Sequence, residues 1–131
     1  MLNSILIGKA IYNILKNNDE LKSYLDDRIF PIIANEGTSF PFIVYTRTNV
    51  TPNYVKGGIY LDGTTVEINI VSTNYVESVD IANVVRNVME SIKRTTVDGL
   101  YIDEIKMSSC NEGYYEYAFV QILTFDINIG S

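Results

Sequence analysis

A strict alternation of apolar and polar side chains over residues 64–71 constrains the fold more than any other feature of the sequence. Val66, Ile68 and Ile70 alternate there with polar residues. Because successive side chains of a strand point to opposite faces, this pattern predicts a strand with one buried face and one wetter face. A strand of this kind is typical of an antiparallel sheet.

Two other segments are also predicted to be strands, one from its composition and one from an alternation that is interrupted once. Residues 42–48 are rich in β-branched and aromatic side chains, and they follow Pro41, a residue that the first position of a strand tolerates. Residues 100–107 also read as a strand, with a phase slip at Asp103 and Glu104 that predicts a bulge or bend. These segments add two strands to the predicted sheet.

The last strand is predicted over residues 114–129, after a hairpin loop over residues 108–113. One face of this strand is apolar along most of its length, and its middle is apolar on both faces. Strands that are buried on both faces lie in the interior of a sheet. We therefore expect this strand to be central.

Three segments show the apolar spacing of helices. The first covers residues 3–17, and the second, shorter one covers residues 19–25. The third covers residues 74–92, where Asn74 followed by Glu77 resembles a capping box. We expect this long helix to cross over the apolar face of the sheet.

The order of these elements predicts one α+β domain over residues 1–131. Its antiparallel sheet of about four strands is packed with the long helix and the N-terminal helices. The 131 residues match the size of a single domain, and no linker or repeat divides them. Hydrophobic residues make up 47% of the chain, which is the proportion of an ordinary globular protein.

The absence of one residue type excludes several classes of enzyme and metal site. The chain contains no histidine, so a histidine base, a catalytic triad and an imidazole metal site are excluded within one chain. The single cysteine, Cys110, excludes an internal disulfide and a multi-cysteine zinc site. No cation stands beside Cys110 in the sequence to activate its thiol. We expect no cofactor, no metal site and no enzymatic activity.

Acidic residues outnumber basic ones, 16 to 10, which gives a formal charge of −6. An acidic surface repels phosphate, and this disfavours a role in coating DNA or an anionic membrane. Lys93–Arg94 is the only basic doublet. The acid pairs Asp19–Glu20, Asp26–Asp27 and Asp103–Glu104 are interpreted as solvated, since acid–base catalysis would require one buried carboxyl group with a raised pKa.

No secretory signal and no membrane-spanning segment is expected from the sequence. The apolar stretches are shorter than the ~20 residues that cross a bilayer, and the N-terminus lacks a basic region and a cleavage site. We therefore expect a protein of a cytoplasm-like compartment with no membrane partner.

Tyrosine is the one abundant aromatic residue, with 10 copies and no tryptophan. Tyr114, Tyr115 and Tyr117 surround Glu116 near the end of the chain. An aromatic platform of this kind can stack nucleic-acid bases, but the acidic setting disfavours that interpretation. Tyrosine is also enriched at protein interfaces, so we interpret the cluster as interface or core.

Residues 49–63 form the longest turn-rich stretch of the sequence, and we expect it to be the main contact loop with a neighbouring subunit or partner. Loops longer than the common 4–6 residues are usually functional or disordered, and several apolar side chains on one loop favour a partner that buries them. The candidate contact residues are Val50, Pro52, Tyr54, Val55, Ile59 and Tyr60. An alternative is that residues 59–63 extend the following strand and shorten the loop.

Five short motifs, in this order and spacing, resemble a known protein family. They are Gly8–Tyr12, Arg28–Pro31, Pro41–Tyr45, Thr51–Pro52 and Thr65–Ile70, followed by a helix rich in Ala and Val. The sequence resembles the tail completion, or tail terminator, proteins of long-tailed bacteriophages and their prophages, including the tail-to-head joining type.

The resemblance implies a structural virion protein that turns over no substrate. Such proteins form a ring, usually hexameric, that caps the finished tail tube and joins it to the head connector. The implied partners are other copies of the chain, the tail tube protein and the head connector proteins. DNA would pass through the ring without specific binding, and the ring would lie at the tail–head junction of a virion assembled in the bacterial cytoplasm.

Two alternative functions stay open at this stage. One is a head–tail adaptor at another position of the phage neck. The other is a stand-alone α+β ligand-binding or regulatory module with a pocket lined by tyrosines. Flanking tail tube and connector genes would favour the ring, and a mass measurement would separate a ring from a monomeric or dimeric module.

Overall fold

Helices and strands are mixed along the chain in a computed structural model that describes residues 3–53 and 61–130. The helical elements are a 3₁₀ turn at Ser4–Leu6, α1 at Ile7–Lys16, α2 at Asp19–Leu25 and α3 at Tyr75–Glu90. The strands are β1 at Ile29–Pro31, β2 at Phe42–Asn53, β3 at Leu61–Ser72, β4 at Lys93–Val97, β5 at Leu100–Tyr115 and β6 at Ala118–Gly130. The predicted α+β class and the three predicted helices are confirmed.

The described strands form a single sheet in the order β1-β2-β3-β6-β5-β4. Neighbouring strands are antiparallel except β1 and β2, which are parallel. The antiparallel character of the main strands is confirmed, but the predicted number of about four strands is wrong. β1 is three residues long and ends in proline, and β4 has the sequence KRTTV without apolar alternation. Neither strand therefore carries the period-two signal by which strands are recognised.

The final strand, β6, lies in the interior of the sheet, as its two-sided apolar middle predicts. β3 pairs with one edge of β6 and β5 with the other. Leu123, Phe125, Ile127 and Ile129 of β6 are buried. The strand begins at Ala118 instead of residue 114, because the preceding residues belong to β5.

The hairpin between β5 and β6 corrects the predicted loop over residues 108–113. These residues belong to β5, which continues to Tyr115 and pairs with β6 throughout. The chain reverses at Glu116 and Tyr117, whose φ angles of 50° and 66° are those that a two-residue type I′ turn requires. Asn and Gly usually occupy such positions, so the sequence Glu-Tyr gave no turn signal. The bulge predicted near Asp103 is confirmed by a register shift between Ile102 and Glu104.

The hairpin between β2 and β3 corrects the predicted loop over residues 49–63 at both ends. β2 continues to Asn53 and β3 begins at Leu61, and the two strands pair along this stretch. The alternative, in which the following strand extends into this stretch, is thus correct for residues 61–63. Pro52 is tolerated because β1 pairs with β2 only as far as Tyr45, which leaves the outer edge of β2 without a described strand partner. Tyr54, Val55, Ile59 and Tyr60 lie outside the described residues.

The core lies between the helices and one face of the sheet. Register places Val66 of β3 opposite Phe125 of β6, and Ile68 opposite Leu123, so these buried side chains share a face. The helices contribute Ile7, Ala10, Ile11, Leu15, Leu21, Leu25, Ile81, Val85 and Met89. The alternation that predicts a strand thus also determines which face the helices cover.

The start of α3 shows how the predicted capping box is completed. The Asn74 side chain accepts a hydrogen bond from the Glu77 backbone N–H at 2.9 Å. The Ser72 hydroxyl accepts from the Asn74 N–H at 3.0 Å and donates to Glu77 Oε1 at 2.8 Å. In a capping box the Glu77 side chain would bond directly to the Asn74 amide, whereas here Ser72 lies between them. The Asn74 and Glu77 amides both have acceptors.

Candidate functional site

A groove lies where the 3₁₀ turn Ser4–Leu6 crosses the far ends of β2 and β3. Its volume is about 460 Å³. The groove is lined by Asn3, Ser4, Ile5, Leu6, Val50, Pro52 and Asp62. We call it the Asp62 groove. Val50 and Pro52, the two described members of the predicted contact set, are thus brought together.

A bulge in β2 directs Val50 and Pro52 into the Asp62 groove. Register passes from Arg47 paired with Val66 to Asn49 paired with Thr65, so β2 contains one extra residue at this point. A one-residue shift exchanges the two faces of a strand. As a result, Val50 lies opposite Thr64 and Pro52 opposite Asp62, on the face that the helices cover.

Asp62 is the charged residue of this groove, and only 6% of its surface is exposed. The Ser4 hydroxyl donates to Asp62 Oδ2 at 2.6 Å. Asp62 Oδ1 is buried and receives no hydrogen bond within the part of the chain that the structure describes. A buried carboxylate is costly unless its oxygens are hydrogen-bonded, so Oδ1 is an acceptor that lacks its donor.

Apolar side chains flank the Asp62 groove on its outer side. Ile5 is 71% exposed and Leu6 is 45% exposed. Arg47 donates to the Ile5 carbonyl at 2.7 Å, which ties the 3₁₀ turn to the edge of β2. The groove therefore combines exposed apolar side chains, which mark sites of partner contact, with a buried carboxylate.

Sequence reasoning missed Asp62 and Ser4 as members of this site. Asp62–Gly63 reads as a turn, although Asp62 has the same parity as Thr64 and Val66 in the alternating strand. An acidic residue at a buried position of such a strand is unusual, and this feature of the sequence could have identified Asp62 as a candidate.

A second exposed surface lies at the opposite end of the sheet, where α3 begins beside the β5–β6 turn. Its exposed aromatic and apolar residues are Tyr75, Val76, Val79, Tyr114, Tyr115 and Tyr117. Tyr117 is 86% exposed. We call this set the tyrosine surface. The exposure of the predicted tyrosine cluster agrees with its interpretation as an interface rather than as core.

Aromatic contacts hold part of the tyrosine surface in place. The Phe119 ring lies 5.5 Å from Tyr75 and 5.0 Å from Tyr114, measured between centroids, in edge-to-face geometry. Such pairs are each worth about 0.5–1.5 kcal/mol beyond the area that they bury. These rings are therefore positioned before any partner arrives.

Glu112 fixes the same surface by accepting two hydrogen bonds through Oε2. The donors are Tyr75 Oη at 2.9 Å and Gln121 Nε2 at 2.9 Å. The bond from Gln121, followed by the bond from Tyr75, holds the pKa of Glu112 below its ordinary value. The bond to Glu112 also raises the pKa of Tyr75, because it stabilises the neutral phenol.

This arrangement predicts that Glu112→Gln destabilises the fold at pH 7 and that the difference disappears in acid. A carboxylate with a lowered pKa in the folded state stabilises that state above its unfolded pKa of about 4.3. The stabilisation is lost as the pH falls through the folded pKa. Urea unfolding of both proteins between pH 7 and pH 3 measures the difference.

Glu116→Gln provides the matched control for this prediction, since it removes the same charge from the same hairpin. Its effect on unfolding is expected to be small at every pH, because Glu116 makes no hydrogen bond through its side chain to the described residues. A Glu112→Gln deficit that stays constant from pH 7 to pH 3 would contradict the assignment.

The remaining candidate residues are dispersed over the surface. Cys110 is exposed and lines a groove of about 230 Å³ between α3 and the sheet. Asp19 and Glu20 lie in the first turn of α2, and Asp103 lies at the bulge of β5. Within residues 3–53 and 61–130, no group of three metal-ligating side chains comes together. None of the described helices is both long enough and apolar enough to span a bilayer.

Comparison with solved structures shows the fold. A chain of a structure described as the virion of a native gene transfer agent (GTA) particle superposes with a TM-score of 0.83. It is 10% identical, and the match covers 98% of this chain and 100% of that chain. A second solved chain matches with a TM-score of 0.55 and 12% identity, over 98% of this chain and 96% of that chain.

Comparison of sequences shows the family. No curated protein matches the chain. The model of the family described as tail completion protein gp17 matches residues 9–114, which is most of the sequence. This match confirms the resemblance that the motifs between Gly8 and Ile70 indicate. The chain therefore belongs to the tail completion protein gp17 family, a family of structural tail proteins of phage-like virions.

Proposed function

We propose that the chain is the subunit of a closed ring, of six copies, that caps the tail tube and joins it to the head connector. The observation that carries this proposal is the pair of exposed surfaces at opposite ends of one sheet. The Asp62 groove lies at the end formed by Asn53 and Leu61, and the tyrosine surface lies at the end formed by Ser72 and Tyr115. A ring subunit that contacts a neighbouring copy as well as the tube or the connector needs more than one contact surface.

The composition of both surfaces supports a role in assembly. Exposed aromatic and apolar side chains that cluster together mark sites where a partner excludes water. Tyr114 is 56% exposed and Tyr115 is 60% exposed. Tyrosine has an apolar ring and a polar hydroxyl, which suits it to protein interfaces. The described residues bury neither surface. Partners of the chain, whether other copies, tube or connector, therefore provide the surface that covers them.

Charge further defines the conditions under which the ring forms. Six copies at −6 each carry a formal charge of −36. Like charges repel over about 10 Å at 0.1 M salt, so salt or the tail tube promotes closure. The same negative charge keeps DNA from adhering as it passes, because phosphate contacts depend on basic residues. The ring is assembled in the host cytoplasm and becomes part of the virion neck.

Light scattering across protein and salt concentration tests this function. With one subunit of 14.8 kDa, the expected product is a particle of about six times that mass. Its proportion should rise with salt and with added tail tubes. Cosedimentation with tubes but not with isolated connectors would place the ring on the tail before it meets the head. A strict monomer in every condition, tail tubes included, would overturn the proposal.

A further inference from the structure

We propose that the Asp62 groove receives the Lys93–Arg94 pair of a neighbouring copy, and that this contact links the subunits of the ring. The inference rests on the proposed ring and specifies the surfaces that meet within it. The guanidinium of the next subunit enters the groove and lies beside the Asp62 carboxylate, whose charge it compensates.

The groove supplies a site that is built for a cationic donor. Only 6% of the Asp62 surface is exposed, and its Oδ2 already accepts a hydrogen bond from the Ser4 hydroxyl. Its Oδ1 is enclosed and has no donor among the described residues, so the charge of the carboxylate is poorly compensated, and the exposed side chains of Ile5 and Leu6 line the same groove. A long side chain with an apolar stem and a charged head suits both features, because its stem packs on the apolar residues and its head places a positive charge beside the carboxylate.

Strand β4 supplies the cation. Lys93, Arg94, Thr95 and Thr96 are all exposed, and the outer edge of β4 pairs with no described strand. Neither Lys93 nor Arg94 forms a salt bridge within the described residues. Arg94 has a φ of 43°, in the left-handed region that non-glycine residues seldom occupy, and strained backbone of this kind is concentrated at functional positions.

The other arginines of the chain are occupied within their own subunit. Arg28 donates to the Pro41 carbonyl, and Arg47 donates to the Ile5 carbonyl. Arg86 pairs with Glu90 at 2.6 Å. Among the contacts between described residues, Arg94 is therefore the arginine whose guanidinium has no partner, and guanidinium is the group that best matches a carboxylate.

Register shows that both halves of the contact lie at the same level of the sheet. One row across the sheet contains Pro52, Asp62, Ile129, Ile102 and Thr95. Each copy thus carries the groove at the β2 edge and the basic pair at the β4 edge. Two different patches that bind each other form a heterologous contact, which repeats from copy to copy and generates a ring when its rotation closes.

Charge-removing substitutions test the contact. Asp62→Asn keeps an oxygen acceptor for Ser4 but removes the charge, and Arg94→Gln removes the charge from an exposed position. Each is expected to raise the protein concentration of half-assembly at least tenfold, since removing one member of a buried charge pair is costly at an interface. The double variant should assemble no worse than the poorer single variant, because both changes remove the same pair.

Arg86→Gln is the matched control, since Arg86 is an exposed arginine engaged within its own helix. It should assemble like the parent. Thermal unfolding of the monomers separates folding from assembly, and all three variants should unfold near the parent. Parent-like assembly of Asp62→Asn and Arg94→Gln would overturn the contact.

Cysteine cross-linking identifies the two surfaces directly. In a Cys110→Ser background, Pro52→Cys and Thr95→Cys place thiols at the two edges of the same row. Mild oxidation of the double variant in rings should give a ladder of covalent products up to six chains, whereas each single variant should give at most dimers. Rings without cross-links, or dimers alone from the double variant, would overturn this contact but not the proposed ring. Absence of any oligomer would overturn both proposals.

Discussion

Phe125→Ala is expected to lower the free energy of unfolding by about 3–5 kcal/mol, as complete truncation of a buried aromatic ring does. Phe125 is fully buried in β6, between Val66 of β3 and Met107 of β5. Its ring therefore lies at the centre of the sheet, under the helices. A domain of this size is stable by only about 5–15 kcal/mol, so the variant should unfold at a much lower urea concentration.

Phe119→Ala is the matched control, because Phe119 belongs to the same strand but is partly exposed. Its ring contacts Tyr75 and Tyr114 at the surface, and its loss is expected to cost about 1 kcal/mol. Urea unfolding followed by circular dichroism measures both variants. Phe119 and Phe125 lie on the same face of β6, so equal losses would contradict the placement of Phe125 in the core and of Phe119 at its margin.

The parts of the fold that follow from the sequence are those in which one periodicity persists. Val66, Ile68 and Ile70 define both a strand and its buried face, and the structure buries all three. The central position of β6 also follows, because only an interior strand has apolar residues on both faces. Local pattern and tertiary environment agree at these positions, so the local pattern is sufficient.

The elements that the sequence does not reveal depend on tertiary contacts. β1 is a strand because Ile29–Pro31 pairs alongside β2, although three residues carry no period. β4 is a strand because Lys93–Val97 pairs with the start of β5, although its side chains are almost all exposed. The β5–β6 turn occurs at Glu116 and Tyr117, because the pairing of the two flanking strands outweighs the low turn propensity of these residues.

The residues of the candidate site also fall into those that the sequence predicts and those that it does not. Val50 and Pro52 can be predicted as members of the groove because they are apolar in a stretch that is otherwise rich in turn residues, and their contact with a partner stays a prediction. Asp62 is not predicted, because its importance comes from the Ser4–Leu6 turn that covers it and from a β2 bulge that no local signal marks. Burial of an unpaired oxygen is a tertiary property, and only the folded chain shows it.

Replacing residues 54–60 with Asn-Gly is expected to leave the monomer folded and to reduce tail completion at least about tenfold. Asn53 pairs with Leu61, so two residues between them form the standard two-residue hairpin, and Asn-Gly is its preferred sequence. The replacement removes Tyr54, Val55, Ile59 and Tyr60 together. If these side chains contact the tube or a neighbouring copy, their removal eliminates much of the contact energy, because a few large residues dominate most interfaces.

A second variant separates the side chains from the length of the segment. It keeps residues 54–60 but changes Tyr54, Val55, Ile59 and Tyr60 to serine, and it should be as defective as the shortened protein. Completed tails are counted by electron microscopy after mixing each protein with tail tubes, and urea unfolding checks the monomer. A defect in the shortened protein alone would assign the effect to the length of the 54–60 segment, since the serine variant keeps that length. Tail completion at the parent level by both variants would contradict the contact, leaving Val50 and Pro52 as the members of the predicted set that meet a partner.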